Sequence, residues 1–115
     1  MSLRNEFKEA LLKSGFCGKA VVAEEGGECV LYYCDRSLPL LIAFSTYGNW
    51  VYAKLVAERL VRPYMWHCSD VFFNPYGLYV FARSLEELVE KFKAKEKLLV
   101  AQASLGVMRL AKIGA

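Results

Sequence analysis

Two tight punctuation marks constrain the second half of this chain more than any other feature. Asn74-Pro75-Tyr76-Gly77 puts Asn, Pro and Gly at the first, second and fourth positions of a type I turn. Beyond it, Ser84 and Glu87 have the spacing of a capping box, in which the hydroxyl and the carboxylate each satisfy an orphan N–H at a helix start. Pro63 disfavours helix at Arg62 and so closes whatever precedes it. Between Tyr52 and Ala101 the chain therefore reads as helix, strand, tight turn, strand, helix, strand. The expected elements are a helix over residues 50–60, an extended segment over 64–73 and a returning strand over 78–82. A helix from Leu85 follows, with Leu88, Val89 and Phe92 on one face and Glu87–Lys91 as an i,i+4 pair. Residues 98–103 read as a buried strand. Ser104-Leu105-Gly106 turns the chain into a last strand over 107–113, whose edge is open to another chain.

The first half is simpler. Ser2 caps a helix to about Ser14, with Leu3, Phe7, Ala10 and Leu11 on one face, and Gly15 stops it. Strands over 16–23 and 28–34 flank a Gly26-Gly27 turn. The apolar run 38–44 is a buried strand or a short helix, and periodicity does not separate the two. Polar residues 45–49 mark the expected boundary between an N-terminal α/β segment (1–47) and a C-terminal domain (48–115).

Composition enters at this point. Of the 115 residues, 56% are apolar and 14% aromatic, which excludes a disordered chain. An apolar surplus on so short a chain reads as surface buried against a partner, or as the core of a protein from a heat-adapted organism. The longest uncharged run, 37–53, contains Pro39 and Gly48 and falls short of the roughly 20 apolar residues a membrane span needs. The N-terminus opens a charged amphipathic segment rather than a signal peptide, so the expected location is the cytoplasm. Residues 1–47 hold five Lys/Arg and six Asp/Glu; residues 48–115 hold ten and six. That basic tilt permits contact with RNA phosphates, and an ordinary solvated face explains it as well.

The four cysteines form no CxxC motif and have no histidine at zinc spacing, so neither a metal nor a cofactor is expected. Cys29 and Cys34 point to opposite faces of one strand. If the Gly26-Gly27 hairpin closes, Cys17 and Cys34 meet across it. They are then a disulfide, of the kind a hyperthermophile tolerates inside the cell, or two small buried hydrophobes. His67 is the one histidine. On a regular strand it and Asp70 point apart, as do His67 and Cys68, which argues against His–Asp or Cys–His chemistry. Glu24 and Glu25 are expected to face solvent at the hairpin turn.

The second half also resembles the C-terminal domain of tRNA-splicing endonucleases, which excise introns from precursor tRNA. Tyr52-Ala53-Lys54-Leu55 with Arg59-Leu60-Val61-Arg62-Pro63 is similar to that family's Tyr-x-x-Leu-Arg…Val-x-Pro-Gly entry. Cys68-Ser69-Asp70-Val71-Phe72-Phe73 is similar to its Gly-Ala-Asp-Phe strand, and Leu78-Tyr79-Val80-Phe81 to its following strand. Residues 85–92 are similar to its next helix, and Lys95-Glu96-Lys97-Leu98-Leu99-Val100-Ala101 to its closing Arg-Lys-Lys-Leu-Val-Leu-Ala. The resemblance spans about half of the chain. It implies an α+β fold, with the small N-terminal segment followed by a nuclease-like (restriction-endonuclease-like) domain of mixed sheet flanked by helices.

The family's chemistry uses a Tyr, a His and a Lys to move protons and to stabilise phosphoryl charge. Here Asn74 matches the Tyr position and Glu96 the Lys position, and the tight 74–77 turn leaves no loop to carry the His. A one-residue slip restores Lys95 or Lys97; Tyr76 is a poor replacement for the Tyr. The resemblance therefore implies a non-catalytic subunit of an archaeal heterotetramer, pairing with a catalytic chain and meeting precursor tRNA through the complex. Val107, Met108, Leu110 and Ile113 are its interface candidates, and Arg62, Lys93, Lys95 and Lys97 its candidates for phosphate contact. The acidic docking loop common in the family is missing from residues 102–106. Two rivals remain: a small ribonuclease using His67 with Asp70 or a lysine, and an unrelated homodimeric scaffold module.

Overall fold

The computed structural model describes residues 3–104. Helix α1 (Leu3–Lys13) leads into strands β1 (Lys19–Glu25), β2 (Cys29–Asp35), β3 (Leu40–Tyr47) and β4 (Trp50–Ala57). Two single 3₁₀ turns, Glu58–Leu60 and Pro63–Met65, and the short helix α2 (Cys68–Phe72) cross to β5 (Leu78–Ala82). Helix α3 (Leu85–Ala94) and a further helix, α4 (96–104), follow. The strands form one antiparallel sheet in the order β1-β2-β3-β4-β5, so the fold is α+β.

Side-chain alternation splits the sheet into two faces. Val30, Tyr32, Leu40, Ile42, Phe44, Val51, Ala53, Leu55 and Val80 point to the first, where Phe7 and Leu11 of α1, Leu88, Val89 and Phe92 of α3, and Leu99 and Ala103 of α4 cover them. Phe7 stacks on Phe44 at 4.2 Å between ring centroids and meets Phe92 edge-on at 6.1 Å. Leu31, Leu41, Ala43 and Val56 point to the second face, beneath Val61, Cys68 and Val71 of the crossover.

The α1 helix, the β1–β2 hairpin, β5 and α3 lie where the sequence places them, and 38–44 resolves in favour of a strand. The α3 cap is nearly the expected box: Ser84 Oγ accepts from the Glu87 N–H at 3.2 Å, and Glu87 reaches back to the N–H of Arg83 rather than of Ser84. Lys91 pairs with Glu87 at 3.2 Å.

Five expectations are corrected. Residues 50–57 form the strand β4, not a helix. It is flanked on both sides, and residues 53–57 are buried whichever face they point to, so apolar residues occupy both of its faces and imitate helical periodicity. Residues 64–73 form a 3₁₀ turn and α2, not a strand, because β5 takes the place beside β4. Residues 98–103 lie in α4, where Leu99 and Ala103, four apart, enter the core together. The sheet is antiparallel among the described residues, not mixed. The expected domain boundary at 45–49 is a hairpin instead: Tyr47 pairs with Trp50, and Gly48 takes φ +59° at the first turn position. Both expected segments thus share one sheet and one core. The strand expected over 107–113 lies outside the described residues.

Disulfides join Cys17 to Cys34 (Cα–Cα 5.3 Å) and Cys29 to Cys68 (6.3 Å). The first links the approach to β1 with the end of β2. The second ties α2 to the start of β2, and nothing in the residue spacing announces it. Among the described residues no helix is long and apolar enough to cross a membrane.

Candidate functional site

The only histidine does not meet Asp70 as its main partner. His67 precedes α2, and its Nδ1 lies 2.5 Å from Glu24 Oε2, while Glu24 Oε1 accepts the Cys68 N–H at 2.9 Å. Glu24 follows an irregularity in the β1–β2 register. It is therefore not an idle turn residue: it caps α2 from another element, where a carboxylate is favoured by the exposed N–H groups of a helix start. The Cys68 N–H bond and the imidazole bond hold its carboxyl below the usual range. The Glu24 hydrogen bond raises the His67 pKa, and the Asp70 charge adds to the effect. Glu25 does face solvent, as expected, and pairs there with Arg4 at 3.0 Å. The His67–Glu24 pair leaves Nε2 unbonded to Glu24, but its geometry is that of a clamp between α2 and β1.

Asn74 and Glu96, which the sequence resemblance would set at catalytic positions, have structural partners here. Asn74 Oδ1 accepts the Tyr76 N–H at 2.8 Å, and its backbone carbonyl accepts from Lys54 Nζ. Glu96 pairs with Arg36, whose guanidinium lies 4.3 Å over the Phe16 ring. Lys54 is buried; its ammonium also donates to the Phe72 carbonyl at 3.1 Å, and desolvation lowers its pKa. Gly77 closes the turn at φ +94°, where an added Cβ would lie 2.5 Å from the Leu55 carbonyl oxygen.

The phosphate candidates form no continuous track. Arg62 lies on the crossover over the second face, whereas Lys93, Lys95 and Lys97 lie in the helical layer on the first. Lys93 Nζ donates to the Ser14 carbonyl at 2.9 Å, and Lys95 ends α3 half-buried. The interface candidates Val107, Met108, Leu110 and Ile113 lie outside the described residues. Among the described residues no group of His, Cys, Asp and Glu is arranged to hold a metal ion.

Residue-by-residue reading missed the aromatic end of the second face. Tyr52 lies opposite Phe81 with ring centroids 5.5 Å apart, and Tyr79 continues the row at 6.4 Å from Phe81. Phe72, at 6.2 Å from Tyr79, marks where the crossover stops covering the sheet. Beyond it Tyr47, Trp50, Tyr52 and Phe81 line an open cleft of about 400 Å³. The signal was present: aromatic residues recur at every second position in Trp50/Tyr52 and Tyr79/Phe81. The helix expected over 50–60 concealed half of it.

Comparison with known proteins finds no matching family, no matching curated protein and no matching solved structure.

Proposed function

We propose that this chain works by binding and is the non-catalytic structural subunit of a heterotetrameric tRNA-splicing endonuclease, positioning a catalytic partner for intron removal. The observation that supports the non-catalytic half is the use made of Asn74 and Glu96. Strand cleavage by the 2′-hydroxyl needs a base, an acid and a cation around one phosphate. At the matched positions stand a turn-closing amide and a carboxylate neutralised by Arg36. The splicing assembly rests on the sequence motifs alone. Tyr52–Leu55 lies in β4, and most of 68–73 in α2, where the resemblance implies a helix and a strand. The nuclease-like character of the second half is part of the same proposal, as is docking through Val107, Met108, Leu110 and Ile113. The cytoplasmic placement belongs with it too; two disulfides in that compartment fit a hyperthermophile.

Co-expression with a catalytic splicing-endonuclease chain, followed by sizing and a cleavage assay on intron-containing precursor tRNA, tests this reading. The expected result is a complex of two chains of each kind that cleaves only when both are present. Failure of the two to associate, or intron excision by this polypeptide alone, overturns it. One observation favours a second reading, a small ribonuclease: a carboxylate, that of Glu24 rather than the expected Asp70, is hydrogen-bonded to His67 Nδ1, as an orienting carboxylate is in acid–base catalysis. That reading requires RNA cleavage by the isolated chain that is lost in His67→Ala.

A further inference from the structure

The crossover covers only part of the second sheet face, and the end left open at β3, β4 and β5 is aromatic. Tyr47 is 79% exposed, Phe81 52% and Trp50 40%, although each sits on or beside an ordered strand. Strand register explains their assembly. Tyr47 faces Trp50 across the β3–β4 turn, and Tyr52 faces Phe81 across β4 and β5, so all four rings project from one side of the sheet. The cleft they line, about 400 Å³, falls within the size range of small-ligand sites, about 300–1,000 Å³.

The lining carries no charged side chain. Its only polar groups are two phenol hydroxyls and an indole N–H. Such a site recognises a flat ring by its face and is tolerant of the ring's edge. At its rim the Arg83 guanidinium lies 4.3 Å over the Trp50 ring. Arg83 has no carboxylate within ion-pair distance among the described residues; the nearby Glu87 is taken by Lys91 and by the Arg83 backbone N–H. A stacked guanidinium is pre-organised, and its free N–H fork matches a phosphate. Residues 48–115, which supply three of the four rings and Arg83, hold ten Lys/Arg against six Asp/Glu.

A flat aromatic ring joined to an anion describes an unpaired nucleotide. We propose that this cleft binds single-stranded nucleic acid, stacking one base among Trp50, Tyr52, Phe81 and Tyr47 and placing the neighbouring phosphate on Arg83. Aromatic grooves also take proline-rich peptides, but such a peptide offers the Arg83 fork no phosphate. The proposal rests on the reading of the chain as a binder and not on the splicing assembly.

The test uses the full oxidised chain alone. Fluorescence anisotropy at low salt follows a labelled oligouridylate, the matching single-stranded DNA, an RNA duplex and an acid-free polyproline peptide. The expected result is binding of the single strands over the duplex and the peptide, weakening as salt rises. The preference between RNA and DNA names the source of the ligand. Phe81→Ala and Trp50→Ala each weaken binding by about 5- to 150-fold, the range of a lost base stack. Arg83→Gln weakens it and flattens the salt dependence. Tyr47→Ala, the most exposed substitution, keeps the thermal midpoint of the parent and still weakens binding, which separates loss of contact from loss of fold. No single-strand binding, equal binding by the parent and the ring variants, or preference for the peptide or the duplex overturns the proposal. Because no partner chain is present, these outcomes leave the co-expression test untouched, and failure of co-expression leaves the cleft standing.

Discussion

The two faces of the sheet are held by different means. On the first, three helices bring complete apolar stripes, and Phe7, Leu11, Leu88 and Phe92 are all fully buried. Each such side chain stabilises the fold by roughly 1.5–3 kcal/mol relative to exposure, so burial dominates in that layer, with the Cys17–Cys34 bond and the Arg36–Glu96 pair added to it. On the second, α2 has five residues and buries only Cys68 and Val71. A segment that short covers too little area to offset its own ordering entropy. It is therefore tied: by the Cys29–Cys68 bond, by the Glu24 clamp at its start and by Lys54 on the carbonyls at its end. Where the ties stop, so does the cover, and the aromatic end of the sheet is left open. A helical layer holds by area; a short crossover holds by tethers, and its extent sets how much sheet remains for a ligand.

Substitutions can break this contrast, and the largest effect is expected on the helical side. Phe92→Ala opens a cavity where Phe7, Phe16 and Phe92 meet and should cost about 3–5 kcal/mol, read from the urea midpoint. A loss below about 1 kcal/mol would show that this face, too, depends on tethers.

Replacing both Cys29 and Cys68 by Ser should cost about 2–4 kcal/mol. Hydrogen exchange should then accelerate first in residues 68–77, while α1 and α3 keep their protection. Uniform acceleration would sink the distinction between the faces.

Lys54→Met removes the donor to the Phe72 and Asn74 carbonyls. Each buried acceptor left unsatisfied costs about 1–3 kcal/mol, and the replaced ammonium no longer pays its own desolvation, so the net loss sits near the lower end. Calorimetry on the variant measures it.

The smallest effect is the pH dependence of the Glu24–His67 clamp. The folded His67 pKa is raised above 6.5, so its contribution is complete below that pH and is lost as pH climbs through the folded value. The folded Glu24 pKa is lowered below 4.5, so its contribution is complete above that pH and fades as pH falls through the folded value. The clamp is thus strongest between about 4.5 and 6.5. Thermal midpoints across pH should show both arms in the parent chain and flatter arms in Glu24→Gln; unchanged arms in the variant would remove the clamp from the account.

What the residues alone determined was local. The α1 stripe, the Gly26-Gly27 hairpin that brings Cys17 to Cys34, the 74–77 turn and the α3 cap each depend on neighbours a few positions apart. Backbone sterics and short-range hydrogen bonds act over that distance. Gly48-Asn49 is an equally local hairpin signal, but a polar stretch such as 45–49 is also what a domain boundary presents, and the residues alone do not separate the two. Only the tertiary structure decided that 50–57 extends between two strands, that 98–103 winds as a helix, and that His67 finds Glu24 and Cys68 finds Cys29. Residues apolar on every side are compatible with strand and helix alike, and the choice falls to whichever arrangement buries both faces at once. Pairings across 39 and 43 residues depend on how the whole chain closes, and no spacing along it encodes them.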